Sequence, residues 1–181
     1  MELKDYGFLI GAGVAIIGWL VTRHNALQFS KRKERLELIN KRLNDFYGPL
    51  YVATRAGRAS YERMVAQLGI NEAAFFGNSA LSEANLREFH HWMKNVLVPL
   101  NDVIEKAVLE NAYLIIEEQM PQPITDYMEH VSTVRVTVAH WDSGNFSQKS
   151  LPMRYPEELD EYIKRAYSRL KSEQLKLLGM N

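Results

Sequence analysis

The chain has 181 residues, contains no cysteine and carries 22 basic and 22 acidic side chains, so its formal net charge is zero. The absence of cysteine excludes thiol catalysis and cysteine-ligated metals, and the balanced charge argues against a protein that binds duplex nucleic acid. About 155 residues remain after an apolar N-terminal segment, which is enough for one domain with its own core.

Residues 6–22 contain no charged side chain. As a helix, this segment would be ~25 Å long, close to the ~30 Å hydrocarbon thickness of a bilayer, which predicts a transmembrane anchor over residues 1–24. Lys4 is the only basic residue before the segment, whereas several basic residues follow it. We therefore expect the N-terminus outside and the C-terminal domain in the cytoplasm. A signal peptide and a buried core helix are the alternatives. The basic residues that follow are Arg23, Lys31, Arg32, Lys33 and Arg35.

Small residues recur at every fourth position within this apolar segment, at Gly7, Gly11 and Ala15. Such a stripe lets two membrane helices approach closely, so these residues are candidate packing positions in a homo-oligomer. The segment itself contains no charged side chain that would select an ion in a pore.

Residues 25–48 are predicted to form a basic juxtamembrane helix that continues from the anchor. Residues 23–46 contain seven basic and three acidic side chains, a net charge of +4. This charge suits anionic membrane lipid, and it also agrees with the ordinary excess of basic residues on the cytoplasmic side. Apolar residues with spacings of three, four and seven indicate either a coiled-coil seam or packing within a bundle. They are Phe29, Leu36, Ile39, Leu43, Phe46 and Leu50.

Residues 49–181 are predicted to form an all-α cytoplasmic bundle of about five helices. Proline at the first helical positions and glycine or proline after the last turns delimit most of them. The valines and threonines of residues 131–138 favour a strand by propensity, but apolar spacings of three and four over the longer segment favour a helix. The predicted helices cover residues 49–68, 80–97, 100–118, 124–141 and 156–178, and the predicted loops cover 70–79 and 142–155.

The first helix of this bundle carries the main candidate site. Helical spacing places Tyr51, Arg55 and Arg58 on one face, among small residues that would let a backbone or a flat ligand come close. Gly57 in a helix interior costs ~1 kcal/mol relative to alanine, which suggests that its missing side chain has a use. Two arginines one turn apart suit a phosphate or a carboxylate group.

Aromatic and cationic residues elsewhere could complete a nucleotide site with Tyr51 and Arg55, because bases stack on aromatic rings and phosphates pair with cations. These further candidate ligand residues are Trp92, His140, Trp141 and Arg154.

Residues 71–130 form an acidic stretch with ten acidic and three basic side chains, a net charge of −7. This stretch is the alternative partner of Arg55 and Arg58, which would then be paired within the bundle through the predicted helices 80–97 and 100–118. It is also a surface that a protein partner could recognise.

The sequence contains none of the common hydrolase, metalloprotease or phosphate-loop motifs. His130 and His140 lie near one face of the predicted helix 124–141. Together with carboxylates from other helices they could bind a metal ion, so a metal-dependent enzyme remains an alternative. Hydrogen-bonded histidines inside a bundle are the simpler interpretation. We therefore assign no catalytic residue, no metal ligand and no cofactor.

The segment LNDFYGPLY, residues 43–51, resembles a group of small bacterial proteins. These proteins have one N-terminal membrane helix, a basic helix that ends in an FYGPL-type turn, and a cytoplasmic helical domain. His130 and the PEEL sequence of residues 156–159 extend the resemblance over most of the chain. Some proteins of this architecture look like anti-phage effectors, including membrane-anchored proteins of type III CRISPR systems that bind cyclic oligoadenylate. The resemblance therefore implies a bacterial inner-membrane location and a cyclic nucleotide ligand, but it transfers no binding residue.

The predicted function is a non-enzymatic, membrane-anchored cytoplasmic sensor or effector that forms a homo-oligomer. In its most specific form, the protein binds a cyclic nucleotide signal in antiviral defence and perturbs the membrane. A membrane-tethered scaffold that recruits a protein partner is the first alternative, and a metal-dependent enzyme is the second.

Overall fold

The computed structural model describes residues 3–70, 81–147 and 150–180, with side chains from residue 17 onward. All regular secondary structure in these residues is helical, which confirms the all-α class, and residues 131–138 lie in a helix. Five α-helices follow the first one in the described chain. The helices are α1 (Leu3–Lys41), α2 (Gly48–Leu68), α3 (Glu83–Trp92), α4 (Val98–Asn111), α5 (Gln122–Asp142) and α6 (Glu158–Leu178).

The described part of the predicted transmembrane anchor, from residue 3 onward, lies in α1. The part of it up to residue 16, including Gly7, Gly11 and Ala15, lies outside the residues whose side chains are described. Among the described residues, no helix combines the length and the apolar character needed to cross a bilayer. The apolar side chains that follow residue 16 in α1 are exposed, and they are Ile17, Trp19, Leu20 and Val21.

The helix α1 continues into α2, and α3 continues into α4, through a π-helical turn followed by a proline. The turns are Arg42–Tyr47 and Met93–Leu97, and Pro49 and Pro99 lie in the first turn of the next helix. Proline lacks a backbone donor and clashes with the carbonyl four residues earlier, so a wider π turn lets each helix continue through the kink. The described chain therefore stays helical through residues 47–49, where the sequence predicts that the basic helix ends and the bundle begins.

Pro49 has no N–H, so one backbone carbonyl of the preceding turn lacks its helical donor. That carbonyl belongs to Asp45, and the Asn111 side-chain amide donates to it at 3.1 Å. Asn111 is also the last residue of α4 and is followed by a 3₁₀ turn, Ala112–Leu114. The predicted helix 100–118 is therefore wrong at its C-terminal end. The helix α4 ends at Asn111, whose side chain donates to the π turn Arg42–Tyr47.

Two helix ends follow the predicted chemistry. Gly69 after α2 and Gly179 after α6 adopt φ values of +62° and +74°, in the left-handed region that glycine occupies without a steric cost. At the N-terminus of α3, the Ser82 hydroxyl accepts a hydrogen bond from the Asn85 N–H at 3.2 Å and caps the helix.

The described chain divides into two compact units. The larger unit, Lys41–Ser172, contains a core in which α2 packs against α4, and each of these helices also contacts the π turn of the other kinked helix. The smaller unit contains Met1–Asn40 and Glu173–Asn181; within it, Arg35 pairs with Glu173. The unit boundary thus falls inside the predicted basic helix of residues 25–48.

The predicted apolar seam is a packing face over most of its length. Phe29 is 71% exposed, so the seam is open at its N-terminal end, and Leu36 is half-buried. The remaining seam residues are buried in the protein, as expected for a bundle. They are Ile39, Leu43, Phe46 and Leu50.

Candidate functional site

The FYGPL segment determines how α2 begins. Phe46, Tyr47 and Leu50 are fully buried. Gly48 donates its backbone N–H to the Leu43 carbonyl oxygen, and a Cβ added at Gly48 would lie well under 3.0 Å from that oxygen. The π turn therefore requires glycine at this position. The segment that carries the resemblance has a structural role, because it fixes the start of the helix that carries the candidate site.

The Tyr47 hydroxyl is a buried connection to two other elements. It accepts the Ile116 N–H at 3.1 Å and lies 3.1 Å from the Tyr162 hydroxyl in α6. Tyr162 in turn donates to the Glu117 carboxylate at 2.8 Å. Burial raises the pKa of both tyrosines, so their hydroxyls stay protonated and serve as hydrogen-bond groups. This network helps to hold α6 beside the beginning of α2.

A pocket of about 280 Å³ lies between α2 and the start of α6. The structure thus brings together three of the predicted ligand residues, Tyr51, Arg55 and Arg58, and places α6 opposite them. We call this the α2–α6 pocket. Its lining residues are Tyr51, Thr54, Arg55 and Arg58 from α2, and Glu157, Asp160, Glu161 and Lys164 from the start of α6 and the residue before it.

One wall of the α2–α6 pocket is built around Asp160. The Arg58 Nε donates to one Asp160 carboxylate oxygen at 2.8 Å, and the Tyr155 hydroxyl donates to the other at 2.6 Å. The side chain of Asp160 is 19% exposed and that of Arg58 is 43% exposed. The hydrogen bond that Arg58 donates to Asp160 raises the pKa of Arg58, so this guanidinium stays charged. The alternative in which Arg58 pairs with residues 80–118 is therefore wrong, because its partner lies in α6.

Two further cations line the pocket without a partner in the described part of the chain. Within the described residues, Arg55 and Lys164 are exposed and make no hydrogen bond or ion pair. With Arg58 they give the pocket three cations, against three carboxylates on the α6 side. This balance suits a small anion better than a polyanion, because a highly charged ligand would be repelled by the carboxylates.

The Tyr51 ring forms a rigid aromatic part of the wall. It stacks in parallel on Tyr167, with ring centroids 4.5 Å apart and an interplanar angle of 4°. The buried Thr54 beside it donates to the Tyr51 carbonyl at 3.2 Å. A Cβ added at Gly57 would meet no atom within 4 Å. No described backbone or side chain therefore makes the close approach that the sequence predicted at this glycine.

The other predicted ligand residues lie elsewhere in the larger unit. Trp141 is 1% exposed and packs edge-on against Phe89, at 5.7 Å between ring centroids. Trp92 is half-buried against the same cluster. His140 is exposed in the last turn of α5, and Arg154 is exposed in the segment before α6. None of these four residues lines the α2–α6 pocket.

His130 is buried behind the pocket wall. Its ring lies 5.7 Å from that of Tyr155, the residue that donates to Asp160. Its Nδ1 has no hydrogen-bond partner among the residues that the structure describes. Burial lowers the pKa of His130 to about 4, so the ring is neutral near pH 7. His140, in contrast, is exposed. Among the residues that the structure describes, no three histidine or carboxylate side chains are grouped to hold a metal ion.

A second polar cluster joins α5 to the kinked helix formed by α3 and α4. Asp142 accepts from the Lys94 ammonium at 2.8 Å and lies 2.9 Å from the His90 Nε2. Lys94, and to a smaller extent His90, lowers the pKa of Asp142. The sequence patterns did not predict this cluster, which ties two helices together at their ends.

The residues on the α6 side of the pocket were not among the predicted ligand residues, although the sequence contains a pattern that places them on one helix face. Asp160 and Lys164 are one helical turn apart and follow a helix-initiating proline, so they share a face of α6. The sequence therefore showed that α6 has a charged face, but it did not show that this face packs opposite Arg55 and Arg58 of α2.

Comparison with protein-family models, with curated proteins and with solved structures finds no match for this chain.

Proposed function

We propose that this chain is a non-enzymatic, membrane-anchored helical sensor or effector that binds an anionic ligand in the α2–α6 pocket. One observation carries the ligand proposal: the two cations Arg55 and Lys164 line the pocket beside Arg58 and have no partner of their own among the described residues. Guanidinium and ammonium groups in this arrangement suit the oxygens of a phosphate.

The charge-free segment of residues 6–22 and the basic residues after it support the membrane part of the proposal. The proposed location is the inner membrane of a bacterium, with the N-terminus outside and the larger unit in the cytoplasm. The basic residues of α1 would then contact anionic lipid headgroups.

A cyclic nucleotide is the proposed signal. Ligand pockets in proteins usually measure roughly 300–1,000 Å³, so a pocket of about 280 Å³ accommodates about one nucleotide unit, with the rigid Tyr51 ring beside it. A larger cyclic oligonucleotide would be shared among the pockets of a homo-oligomer, with one phosphate at each pocket. Ligand binding would change the assembly and thereby the membrane.

Calorimetry of the full-length protein in a non-ionic detergent tests this proposal, with cyclic oligoadenylate as the probe. We expect the wild-type protein to bind and Arg55→Ala to weaken the affinity about tenfold, because a charge-assisted contact is lost. Arg63→Ala is the matched control, since Arg63 is an exposed arginine of α2 that does not line the pocket. No binding, or equal losses in the two variants, would remove the nucleotide proposal.

Extraction of cell membranes tests the anchor separately. The untagged chain should remain in the membrane pellet after an alkaline wash and should be released by detergent, because an apolar helix is not removed by breaking ionic contacts. Release by the alkaline wash would contradict the transmembrane assignment.

A scaffold function is the second candidate, and an exposed apolar surface at the end of α4 favours it. Leu109 is 70% exposed and Tyr113 is 65% exposed, and acidic residues such as Glu110 lie beside them in the sequence. A photo-crosslinking residue at position 109 should capture one stoichiometric protein partner in cells. The same residue at position 136, where an exposed valine lies in α5, should not.

A further inference from the structure

We infer that the Asp160 carboxylate occupies the position on Arg58 that a ligand's phosphate group takes, so that the α2–α6 pocket binds one phosphate group in exchange for Asp160. This inference rests on the proposed function and narrows its ligand to small molecules that carry a single phosphate group at the pocket.

The contact between Arg58 and Asp160 has the form of a ligand contact. An Arg58 N–H donates to a carboxylate oxygen at 2.8 Å on the pocket wall. Carboxylate and phosphate oxygens both accept charge-assisted hydrogen bonds from a guanidinium. A phosphate can therefore take the place of the carboxylate without any movement of Arg58.

The pocket contains cations that do not pair with Asp160. Arg55 and Lys164 also line it, and neither pairs with any described residue. A phosphate carries up to about two negative charges and three acceptor oxygens, so it has more charge and more acceptors to offer the lining cations than Asp160, which pairs with Arg58. This difference provides the driving force for the exchange.

The carboxylates set the upper limit on ligand charge. Glu157 and Glu161 line the same pocket and remain there after Asp160 has been displaced. A second phosphate group in the pocket would lie close to these carboxylates and be repelled by them. The pocket is therefore selective for one phosphate and rejects di- and triphosphates.

Asp160 is also held in place by the neighbouring structure. The Tyr155 hydroxyl donates to its second carboxylate oxygen at 2.6 Å, and the carboxylate is 19% exposed. Asparagine at position 160 keeps an acceptor oxygen for Tyr155 but loses the negative charge that competes for Arg58. The substitution Asp160→Asn therefore removes the competition between Asp160 and a phosphate for Arg58, while it keeps the hydrogen bond from Tyr155.

The test measures the affinity of the full-length protein in a non-ionic detergent for three probes: inorganic phosphate, adenosine monophosphate and short-chain phosphatidic acid. We expect Asp160→Asn to tighten binding of the preferred probe about three- to tenfold, since one competing charge is removed. Asp102→Asn is the matched control, because Asp102 pairs with Arg135 at 2.9 Å and does not line the pocket. This control should leave all affinities unchanged.

The relative affinities of the three probes identify the source of the phosphate. Tightest binding of adenosine monophosphate indicates a soluble nucleotide, tightest binding of phosphatidic acid indicates a lipid headgroup, and either result supports the exchange if Asp160→Asn strengthens it. Adenosine triphosphate should bind more weakly than the monophosphate. Equal affinities of wild-type and Asp160→Asn protein, or no binding of any probe to Asp160→Asn, would overturn the inference.

The two proposals fail in different ways. If cyclic oligoadenylate does not bind but Asp160→Asn tightens phosphate binding, the nucleotide signal is wrong and the exchange is correct. If cyclic oligoadenylate binds through Arg55 but Asp160→Asn has no effect on phosphate affinity, the pocket is a ligand site in which Asp160 does not compete.

Discussion

Replacing Gly48 with alanine should destabilise the larger unit. The added Cβ would lie 3.4 Å from the carbonyl carbon of Leu43 and well under 3.0 Å from its oxygen, closer than real Cβ atoms come to a neighbour. Because that neighbour is backbone, no side chain can rotate away. The π turn Arg42–Tyr47 must shift, and the hydrogen bond from the Gly48 N–H to Leu43 must lengthen.

The expected magnitude follows from three effects. Overpacking a site that cannot relax costs ~1–3 kcal/mol, and weakening a backbone hydrogen bond costs up to ~1 kcal/mol. Alanine gains ~1 kcal/mol over glycine in helix propensity. The free energy of unfolding of Gly48→Ala should therefore fall by about 2 kcal/mol.

Gly57→Ala is the matched control, because it makes the same substitution inside α2 where the new Cβ meets no atom within 4 Å. Here only the propensity gain remains, so the free energy of unfolding should rise by ~0.5–1 kcal/mol. Chemical unfolding followed by tryptophan fluorescence measures both variants, since Trp141 is buried in the core of the larger unit.

A Gly48→Ala variant as stable as the wild-type protein would show that the π turn does not depend on glycine. Destabilisation by Gly57→Ala would instead reveal a neighbour beyond the described chain, such as a second copy packed on the small residues of α2.

Two further predictions concern buried polar groups. The free energy of unfolding should fall by about 2 kcal/mol from about pH 8 to pH 5 through His130, because burial lowers its folded-state pKa from 6.5 to about 4. The stabilisation by the neutral ring is complete above pH 6.5 and is lost as the pH falls towards the folded pKa. His130→Gln should remove this part of the pH dependence in urea titrations, and an unchanged slope would contradict the burial argument. Tyr47→Phe should cost about 1 kcal/mol in the same titration at neutral pH, because the Ile116 N–H loses its acceptor. Tyr162→Phe, which leaves that N–H paired, should cost less, and equal losses would show that the Ile116 bond is not stabilising.

Much of the fold was predictable, because helix formation and helix ends depend on nearby residues. The spacing of Ile124, Val131 and Val138 favoured a helix over the strand propensity of its valines, and α5 confirms it. Gly69 marked the end of α2 through its access to positive φ. Pro49 marked the beginning of α2, but it did not indicate that a π turn would join α1 to α2 without a break.

The candidate site was predictable only on one side. Tyr51, Arg55 and Arg58 share a face of α2 because the period of a helix places them there. Trp141 looked equally suitable for a ligand, yet it lies in the core, since an aromatic residue beside a loop has the same local pattern whether it is buried or exposed.

The helical class, most helix ends and the arginine face follow from local sequence, because each depends on interactions over one or two helical turns. The tertiary structure adds that Arg58 pairs with Asp160, a residue 102 positions away, and that Arg55 pairs with no residue in the described part of the chain. Contacts over that distance depend on how several helices pack around a common core, and no local spacing encodes which two faces will come together.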